Sequence, residues 1–391
     1  MAVYKIFPEK DATIYSGFPL KNTGIDQILE ISTFYNTTNP EVSRALIKFS
    51  QNEIEQVFED VIVLQDSTDY QVNLKLYIAD INGLNSDTTL EVFAVSESYN
   101  MGTGKYSNTP ETTNGVGWTF RNSSGSNAWK NSSWVDNATG SFSGSNEGGG
   151  TWYTGSNLGL DITPTQILNY TSDKDINVDV TNIVKNFFNY DNINLPLSLP
   201  FDLGGQGLVN EGFLIKQSDT DEFVANRNNV TSLKYFSVDT NTIYPPELEF
   251  KWNDSTFNTG SSLITTISTP RLAASLGNNP NTFRSGSISK IRVNSRPQFP
   301  TRVFQTASLY TTNHYLPTHS FYAVKDLDTN EFVIDFDNSY TKLSQDESGS
   351  FFKLYMSGLQ PERYYQILLK THIEDEVIIL DDNYYFKVIN G

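Results

Sequence analysis

Hydrophobic and polar residues alternate over short stretches along most of the chain, and this period of two predicts β-strands. Residues 72–81 (VNLKLYIADI) show the pattern well, with Val72, Leu74, Leu76 and Ile78 on one side and more polar neighbours on the other. Turn-forming residues separate such stretches. Similar runs lie at residues 42–50, 89–98, 211–217, 233–239 and 246–252.

Strand-like runs resume at residue 288 and continue to the C-terminus. Within them, Leu359, Pro361 and Tyr365 resemble the Leu-x-Pro-x-x-x-Tyr turn that leads into the penultimate strand of fibronectin type III domains. That resemblance implies an immunoglobulin- or fibronectin-like sandwich in which Tyr364 or Tyr365 is the corner tyrosine.

Between these two regions, residues 254–287 are rich in Ser, Thr, Asn, Gly and Pro, which predicts a linker or extended arm. Its run SLITTIS (262–268) can add a strand to a neighbour. The chain is therefore predicted to be all-β. It would comprise a jelly-roll-like β-sandwich at 1–253, the linker at 254–287, and the immunoglobulin/fibronectin-like sandwich at 288–391.

Helical signals are few. Residues 50–60 offer Ser50 as an N-cap, with Glu53 three residues later, and predict a short helix or turn. Residues 179–189 predict one short helix on the first sandwich, capped by Thr181. Its apolar side chains fall on one face: Ile183, Val184, Phe187 and Phe188.

Composition and charge narrow the possible partners. Aromatic residues make up 13% of the 391 residues and charged residues only 18%, which suits a β protein with many turns. A net charge of −18 repels phosphate backbones and anionic lipid, so neither a nucleic acid nor a membrane is expected as a partner. The absence of cysteine excludes disulfides and thiolate metal sites. The N-terminus has no signal-peptide pattern and no run is long enough to span a membrane, so we expect synthesis in a cytoplasm.

Six motifs in residues 1–253 resemble, in the right order, the DNRLRE type of β-sandwich, which is also classed with carbohydrate-binding module family 96. In the first motif, DATIYSGFPLKNTG, the matching residues are Asp11, Ala12, Pro19, Asn22 and Gly24. The others lie at residues 43–49, 74–77, 178–188, 210–216 and 234–252. The chain departs from the family where a tryptophan is replaced by Phe187 or Phe188, and where a long insertion interrupts the motifs.

The opening residues, MAVYKIFPEKDATIYS, are also similar to virion structural proteins of tailed bacteriophages of the marine T4-like type. In those proteins a DNRLRE-like sandwich begins close to the initiator Met. The resemblance implies a component of the head, neck or tail, located in the virion. Its partners would be other virion proteins and copies of itself.

No set of residues predicts catalysis, a cofactor or a metal site. His314 and His319 lie five residues apart in a loop-like segment, where a loop role is favoured over a metal pair. The acidic runs at 218–222 and 326–331 lack the glycine and glutamate of an EF-hand loop, which favours solvated turns over Ca²⁺ sites. The run DLGGQG (202–207) lacks the lysine of a phosphate-binding loop.

Four of the five tryptophans lie in one Ser-, Gly- and Asn-rich stretch, residues 118–159, which the surrounding motifs place as an insertion within the first sandwich. Aromatic rings of this kind can pack the insertion onto the sandwich or onto a neighbouring subunit. Sugar binding is the alternative, because flat rings stack on sugar faces and amides bind hydroxyls; a mobile loop is the third. The candidate interface or glycan contacts are Trp118, Trp129, Trp134 and Trp152.

The resemblance to virion proteins, together with the lack of a catalytic set, implies a non-enzymatic structural component of a tailed phage particle that acts by protein–protein assembly, as a decoration or connector in the head, neck or tail. The alternative is a carbohydrate-binding module that recognises a host surface glycan. A hydrolase ranks third, because no acid/base or nucleophile set is present.

Overall fold

The computed structural model describes residues 2–35, 40–59, 70–84, 86–129, 148–153, 163–191, 207–223, 231–257, 265–277, 279–299 and 314–391. Strands account for 49% of the structure and helices for 8%, in several sheets, which confirms the all-β sandwich class. The described residues divide into two compact units. The N-terminal unit lies within residues 6–59 and 71–249, and the C-terminal unit comprises residues 2–5, 70 and those within 250–391.

Strands β1 to β15 lie between Ala2 and Trp252, and residues 2–5 of β1 belong to the C-terminal unit. They are β1 (Ala2–Ile6), β2 (Pro8–Tyr15), β3 (Ile28–Tyr35), β4 (Pro40–Phe49), β5 (Tyr70–Leu76), β6 (Ile78–Asn82), β7 (Thr88–Val95), β8 (Phe120–Asn122), β9 (Asn127–Ala128), β10 (Trp152–Tyr153), β11 (Thr165–Leu168), β12 (Ile176–Asp179), β13 (Phe213–Gln217), β14 (Thr231–Phe236) and β15 (Glu247–Trp252).

Two larger sheets organise the N-terminal unit. One is antiparallel, with the order β10-β7-β13-β4-β3-β14-β6, and carries β11 on β7 and β2 on β4. The other contains β15, β5 and β12 in that order. Strands far apart in sequence are neighbours, since Ile215 of β13 pairs with both Ala45 and Val92. Antiparallel sheets joined by such crossovers are the arrangement of a jelly-roll-like sandwich.

The predicted strand at residues 72–81 is two strands in different sheets. β5 ends at Leu76 and β6 begins at Ile78, so the chain changes sheets at Tyr77. Asp175 stabilises this corner, because its Oδ1 accepts the backbone N–H of Ile78 at 2.7 Å. A single corner residue preserves the period of two, and the alternation therefore could not reveal the break. The side chains predicted to face the core are buried in β5: Val72, Leu74 and Leu76.

Both predicted helices form, with different caps. α1 (Gln51–Gln56) follows Ser50, whose side chain makes no capping hydrogen bond. α2 (Thr181–Asp191) is preceded by Asp179, whose Oδ1 accepts the Thr181 backbone N–H at 2.9 Å, so the cap is Asp179 and not Thr181. The predicted apolar face of α2 is buried: Ile183, Val184, Phe187 and Phe188. A third helix, α3 (Asp219–Phe223), has no counterpart in the sequence prediction, and no helix in the described part of the chain is long and apolar enough to cross a membrane.

The C-terminal unit contains the remaining strands. They are β16 (Thr265–Thr266), β17 (Leu272–Leu276), β18 (Thr282–Arg284), β19 (Ile288–Pro297), β20 (His314–Tyr315), β21 (Ser320–Asp326), β22 (Phe332–Ile334), β23 (Ser344–Asp346), β24 (Gly349–Tyr355), β25 (Tyr364–Ile373) and β26 (Glu376–Ile389). One sheet has the order β16-β20-β19-β24-β23 with β17 on β19, and the other has the order β18-β26-β25-β21-β22.

The strand orders β17-β19-β24-β23 and β26-β25-β21 correspond to strands A, B, E, D and G, F, C of an immunoglobulin-type sandwich. The predicted corner tyrosine is Tyr365. Its ring is buried, and its hydroxyl donates to the backbone carbonyl of Gln360 at 2.9 Å, whereas Tyr364 is exposed. This bond back to the turn before β25 is the tyrosine corner of such sandwiches.

The structure corrects the predicted linker at 254–287. In the described part of this segment, Thr265–Thr266 pair with β20, Leu272–Leu276 with β19, and Thr282–Arg284 with β26. Exposed edge strands and linkers share a Ser/Thr-rich, weakly charged composition, so composition could not separate them. The predicted first domain is also not continuous, because Val3 belongs to the hydrophobic core of the C-terminal unit.

Candidate functional site

The tryptophan-rich insertion is anchored inside the N-terminal unit. Trp118, Trp129 and Trp152 are 1%, 5% and 1% exposed, and they share one hydrophobic cluster with residues of β2, β4, β7 and β13. Trp134 lies outside the described residues. The three described rings pack the insertion onto its own sandwich. Rings this deeply buried offer no face to a glycan or to a second subunit.

A buried arginine lies between two of these rings. The guanidinium carbon of Arg44 is 4.9 Å from the centroid of the Trp118 ring and 5.5 Å from that of Trp152. Its Nε and Nη2 donate to the two carboxylate oxygens of Glu222 at 3.1 and 2.5 Å, and its Nη1 donates to the Gly149 carbonyl at 2.8 Å. The arginine thus links β4, α3 and the insertion.

Gly149 lets the backbone pass close to this arginine. Its φ of +85° lies in the left-handed region. A Cβ at this position would lie 2.7 Å from Arg44 Nη1 and 2.8 Å from Trp118 Cζ2. The glycine run at 148–150 therefore serves close packing in the core, although its composition resembles that of a flexible connection.

An open cleft of about 220 Å³ lies on the outer side of the larger sheet of the N-terminal unit. Glu30, Ser32 and Phe34 of β3 line it, whereas the intervening Leu29 and Ile31 are buried in the core. We call this feature the β3 cleft. Its other lining residues come from β2 and the turn after it, β4, β14 and the loop after β7: Tyr15, Gly17, Phe18, Glu41, Val42, Tyr106 and Ser232.

Aromatic rings form much of the β3 cleft. The centroids of the Tyr15 and Tyr106 rings are 5.0 Å apart, and Phe18 meets Tyr106 edge-on at 5.9 Å. Lys21 supports this arrangement, since its Nζ lies 4.0 Å from the Phe18 centroid and 4.4 Å from the Tyr106 centroid. Phe18, Tyr106 and Phe34 are exposed, so ring surface is available to a ligand.

Two carboxylates lie among these rings. Glu30 accepts hydrogen bonds from Ser232 Oγ at 2.8 Å and from the Tyr15 hydroxyl at 3.3 Å. Glu41 lies beside Gly17 at the same cleft. Within the described ranges, no lysine or arginine forms an ion pair with either glutamate.

Both tyrosines of the β3 cleft remain protonated at neutral pH. Burial raises the pKa of Tyr15 well above its ordinary value, and the negative charges of Glu30 and Asp26 add to this shift. Burial also raises the pKa of Tyr106, to which Glu30 and Glu41 contribute. The site therefore combines neutral aromatic rings with carboxylate acceptors, which suits a ligand that has an apolar face and hydrogen-bond donors.

Sequence analysis did not identify the β3 cleft. A signal is present in β3, where Glu30, Ser32 and Phe34 alternate with core residues, but many half-buried strands show the same pattern. Tyr106 comes from a loop more than 70 residues further along the chain. Its position against Tyr15 follows only from the tertiary structure.

In the acidic runs at 218–222 and 326–331, carboxylates accept hydrogen bonds from other groups of the protein. Asp221 Oδ2 accepts the backbone N–H of Thr89 at 2.9 Å and the hydroxyl of Ser218 at 2.8 Å. Asp326 accepts two bonds from Arg363, at 2.6 and 2.8 Å. Across the described ranges, no group of three or more His, Asp or Glu side chains could hold a metal ion. The run at 202–207 lies outside the described residues except for Gly207.

A second exposed surface is the outer side of the sheet formed by β26, β25, β21 and β22, called here the C-terminal sheet face. The strand register places Ile379, Lys370 and Phe321 in one row across it. Lys370 Nζ lies 4.8 Å from the centroid of the Phe336 ring. The face also includes Lys325 and Lys387, and its exposed apolar residues are Phe332, Tyr364, Val377, Ile379 and Tyr385.

No protein-family model and no curated protein matches the chain. Among solved structures, the chain is similar to the crystal structure of a DUF4785 family protein from Legionella pneumophila subsp. pneumophila str. Philadelphia 1, at 9% sequence identity and a TM-score of 0.18. The match covers 98% of this chain and 66% of that chain. So low a TM-score carries no argument about fold or function.

Proposed function

We propose that the protein is a non-enzymatic structural component of a tailed phage particle and works by protein–protein assembly. The resemblance of its opening residues to virion structural proteins motivates the proposal. The observation that carries it is the C-terminal sheet face, where large apolar side chains surround three lysines. Contiguous exposed apolar surface rimmed by polar groups is typical of protein–protein contacts.

The partner that this face fits is the acidic N-terminal unit of another copy. Residues 6–63 and 71–249 contain 13 Lys and Arg against 29 Asp and Glu, whereas the rest of the chain contains 14 against 16. Nearly all of the net charge of −18 therefore belongs to the N-terminal unit. Lys387 is paired with Glu362 of the same chain, which leaves Lys325 and Lys370 to face a partner. Lysines on one unit and excess carboxylates on the other favour head-to-tail contacts, which many copies would reinforce through avidity.

Ile379→Glu is expected to weaken self-association at least about tenfold, because it places a carboxylate in the centre of the apolar surface. Sedimentation velocity over a concentration series measures this. The matched control is Ile288→Glu on the other sheet of the C-terminal unit, since Ile288 is 57% exposed and Ile379 is 61% exposed. Equal association of the wild type and Ile379→Glu would reject the face as the contact. Absence of the chain from purified particles in mass spectrometry would reject the particle role.

The second candidate function is binding of a host surface glycan, either independently or as an accessory of the particle. The observation that favours it is the β3 cleft, with exposed Phe18, Phe34 and Tyr106 beside Glu30. Ring faces stack on the C–H surface of a sugar, and carboxylates accept bonds from its hydroxyls. The proposed glycan site is therefore the β3 cleft on the sheet surface and not the buried tryptophans.

Phe34→Ala is expected to lower glycan affinity about tenfold, because it removes one stacking ring from the cleft. Retention on gels that contain immobilised polysaccharide measures the change. Phe332→Ala is the matched control, as it removes an exposed ring from the other unit. Unchanged retention of Phe34→Ala on a gel that retards the wild type would show that the glycan binds elsewhere.

A further inference from the structure

We propose that the β3 cleft selects a cationic sugar, with the protonated amine of an amino sugar between Glu30 and Glu41 and the sugar ring against the aromatic side chains. This inference rests on the glycan-binding function proposed for the same cleft. It adds the chemical class of the sugar.

The first argument is that the hydroxyl groups beside Glu30 are already used as donors. Ser232 and Tyr15 both donate to Glu30, at 2.8 and 3.3 Å. Ser32 shares a 2.8 Å hydrogen bond with the Ser43 hydroxyl, which also lies 2.9 Å from the Glu30 carbonyl oxygen. What Glu30 offers a ligand is carboxylate oxygen, which only accepts. The ligand group at this point must therefore donate.

The second argument is charge. Two carboxylates line one small cavity, and the lysine that lies against its rings is paired with a carboxylate outside the lining, since Lys21 Nζ lies 3.3 Å from the Glu111 carboxylate. A neutral sugar that covers the cleft would remove water from both glutamates without balancing their charge. A primary ammonium group offers three donors and one positive charge.

The third argument is the combination of rings and volume. A cation close to the face of a tyrosine or phenylalanine ring is attracted by the ring quadrupole, and two of the four rings of the cleft, Tyr15 and Phe34, are not already in contact with the Lys21 ammonium group. The volume of about 220 Å³ is below that of typical small-molecule pockets. It suits a single sugar ring, whose flat face uses the aromatic surface better than a linear lysine side chain does.

The test compares the β-1,4-linked glucosamine tetrasaccharide with its fully N-acetylated form by isothermal titration calorimetry at low salt and about pH 6, where a primary amine is protonated. The two sugars share a backbone and differ in charge. We expect the amine form to bind at least about tenfold more tightly than the acetylated form. Glu41→Gln should abolish this preference, whereas Glu374→Gln, an exposed glutamate of the C-terminal unit, should leave it unchanged.

Equal binding of both sugars would overturn the amino-sugar inference and leave the glycan function standing. Binding of neither sugar to the wild type would overturn the inference. Retention on the polysaccharide gel would then decide whether the protein binds a glycan. If a lysine tetrapeptide binds through Glu41 and the amine sugar does not, the ligand is a protein cation and the inference also fails.

Discussion

Arg44→Met is expected to lower the free energy of unfolding of the N-terminal unit by about 3–5 kcal/mol. The guanidinium satisfies both carboxylate oxygens of Glu222 and the carbonyl of Gly149, and both charged side chains are essentially inaccessible to water. Methionine fills similar volume but leaves a carboxylate buried without its cation. Urea unfolding followed by tryptophan fluorescence measures the loss, because the rings of Trp118 and Trp152 flank the arginine.

Two further variants separate charge from packing. Arg44→Met combined with Glu222→Leu should recover much of the loss, because replacing a buried pair by apolar residues is often neutral. Lys48→Met is the matched control on the same strand, since its ion pair with Glu211 at 3.4 Å is partly exposed and should contribute less than about 1 kcal/mol. A cost of Arg44→Met no larger than that of Lys48→Met would contradict this account.

Asp11→Asn is expected to abolish a pH dependence of stability that amounts to as much as about 5 kcal/mol between about pH 4 and pH 8. Asp11 lies in β2 and is 1% exposed. Burial raises its pKa from 3.8 to about 8, against the effect of the Val238 N–H, which donates to Oδ2 at 2.7 Å. Asp239 adds to the increase.

The direction of this pH dependence follows because the folded state favours the protonated form of Asp11. The stability that this carboxyl provides is complete below pH 3.8 and is lost as the pH rises towards about 8. Asparagine keeps an acceptor for the Val238 N–H and cannot ionise. The stability difference between variant and wild type should therefore increase with pH in favour of the variant. Urea unfolding at several pH values measures it.

The control for this experiment is Asp80→Asn, an exposed carboxylate of β6. It removes one negative charge from a chain of net charge −18. It therefore shows how much stability changes when the overall repulsion between negative charges is reduced by one charge. A pH profile of Asp11→Asn parallel to that of the wild type would show that Asp11 is ionised in the folded protein at no cost.

Predictions from local sequence patterns were confirmed where the predicted feature depends on residues close together in the chain. The alternation in β5 and the apolar face of α2 follow from the geometry of one element, and both are buried as predicted. The position of Tyr365 was predictable because the tyrosine corner joins residues only five apart, Gln360 and Tyr365. The strand predicted at 72–81 failed at Tyr77, since one residue can turn a strand into another sheet without changing its alternation.

Composition alone could not predict where the tryptophans of the insertion lie. The composition of the insertion left packing, sugar binding and a mobile loop open, whereas the structure places Trp118, Trp129 and Trp152 in the core. Two of them, Trp118 and Trp152, flank Arg44, which lies more than 70 residues earlier in the chain. Its partner Glu222 is 178 residues further along the chain. Nothing in the insertion itself specifies these contacts.

The sequence by itself determined that the protein is all-β and that a tyrosine closes the turn before β25. Each of these depends on residue periods or spacings of a few positions. Only the tertiary structure decided that Trp118, Trp129 and Trp152 lie inside, that described parts of the predicted linker pair into sheets, and that Glu30, Glu41 and Tyr106 share one cleft. These features join residues far apart in the chain, and long-range packing and pairing bring them together without a local signal in the sequence.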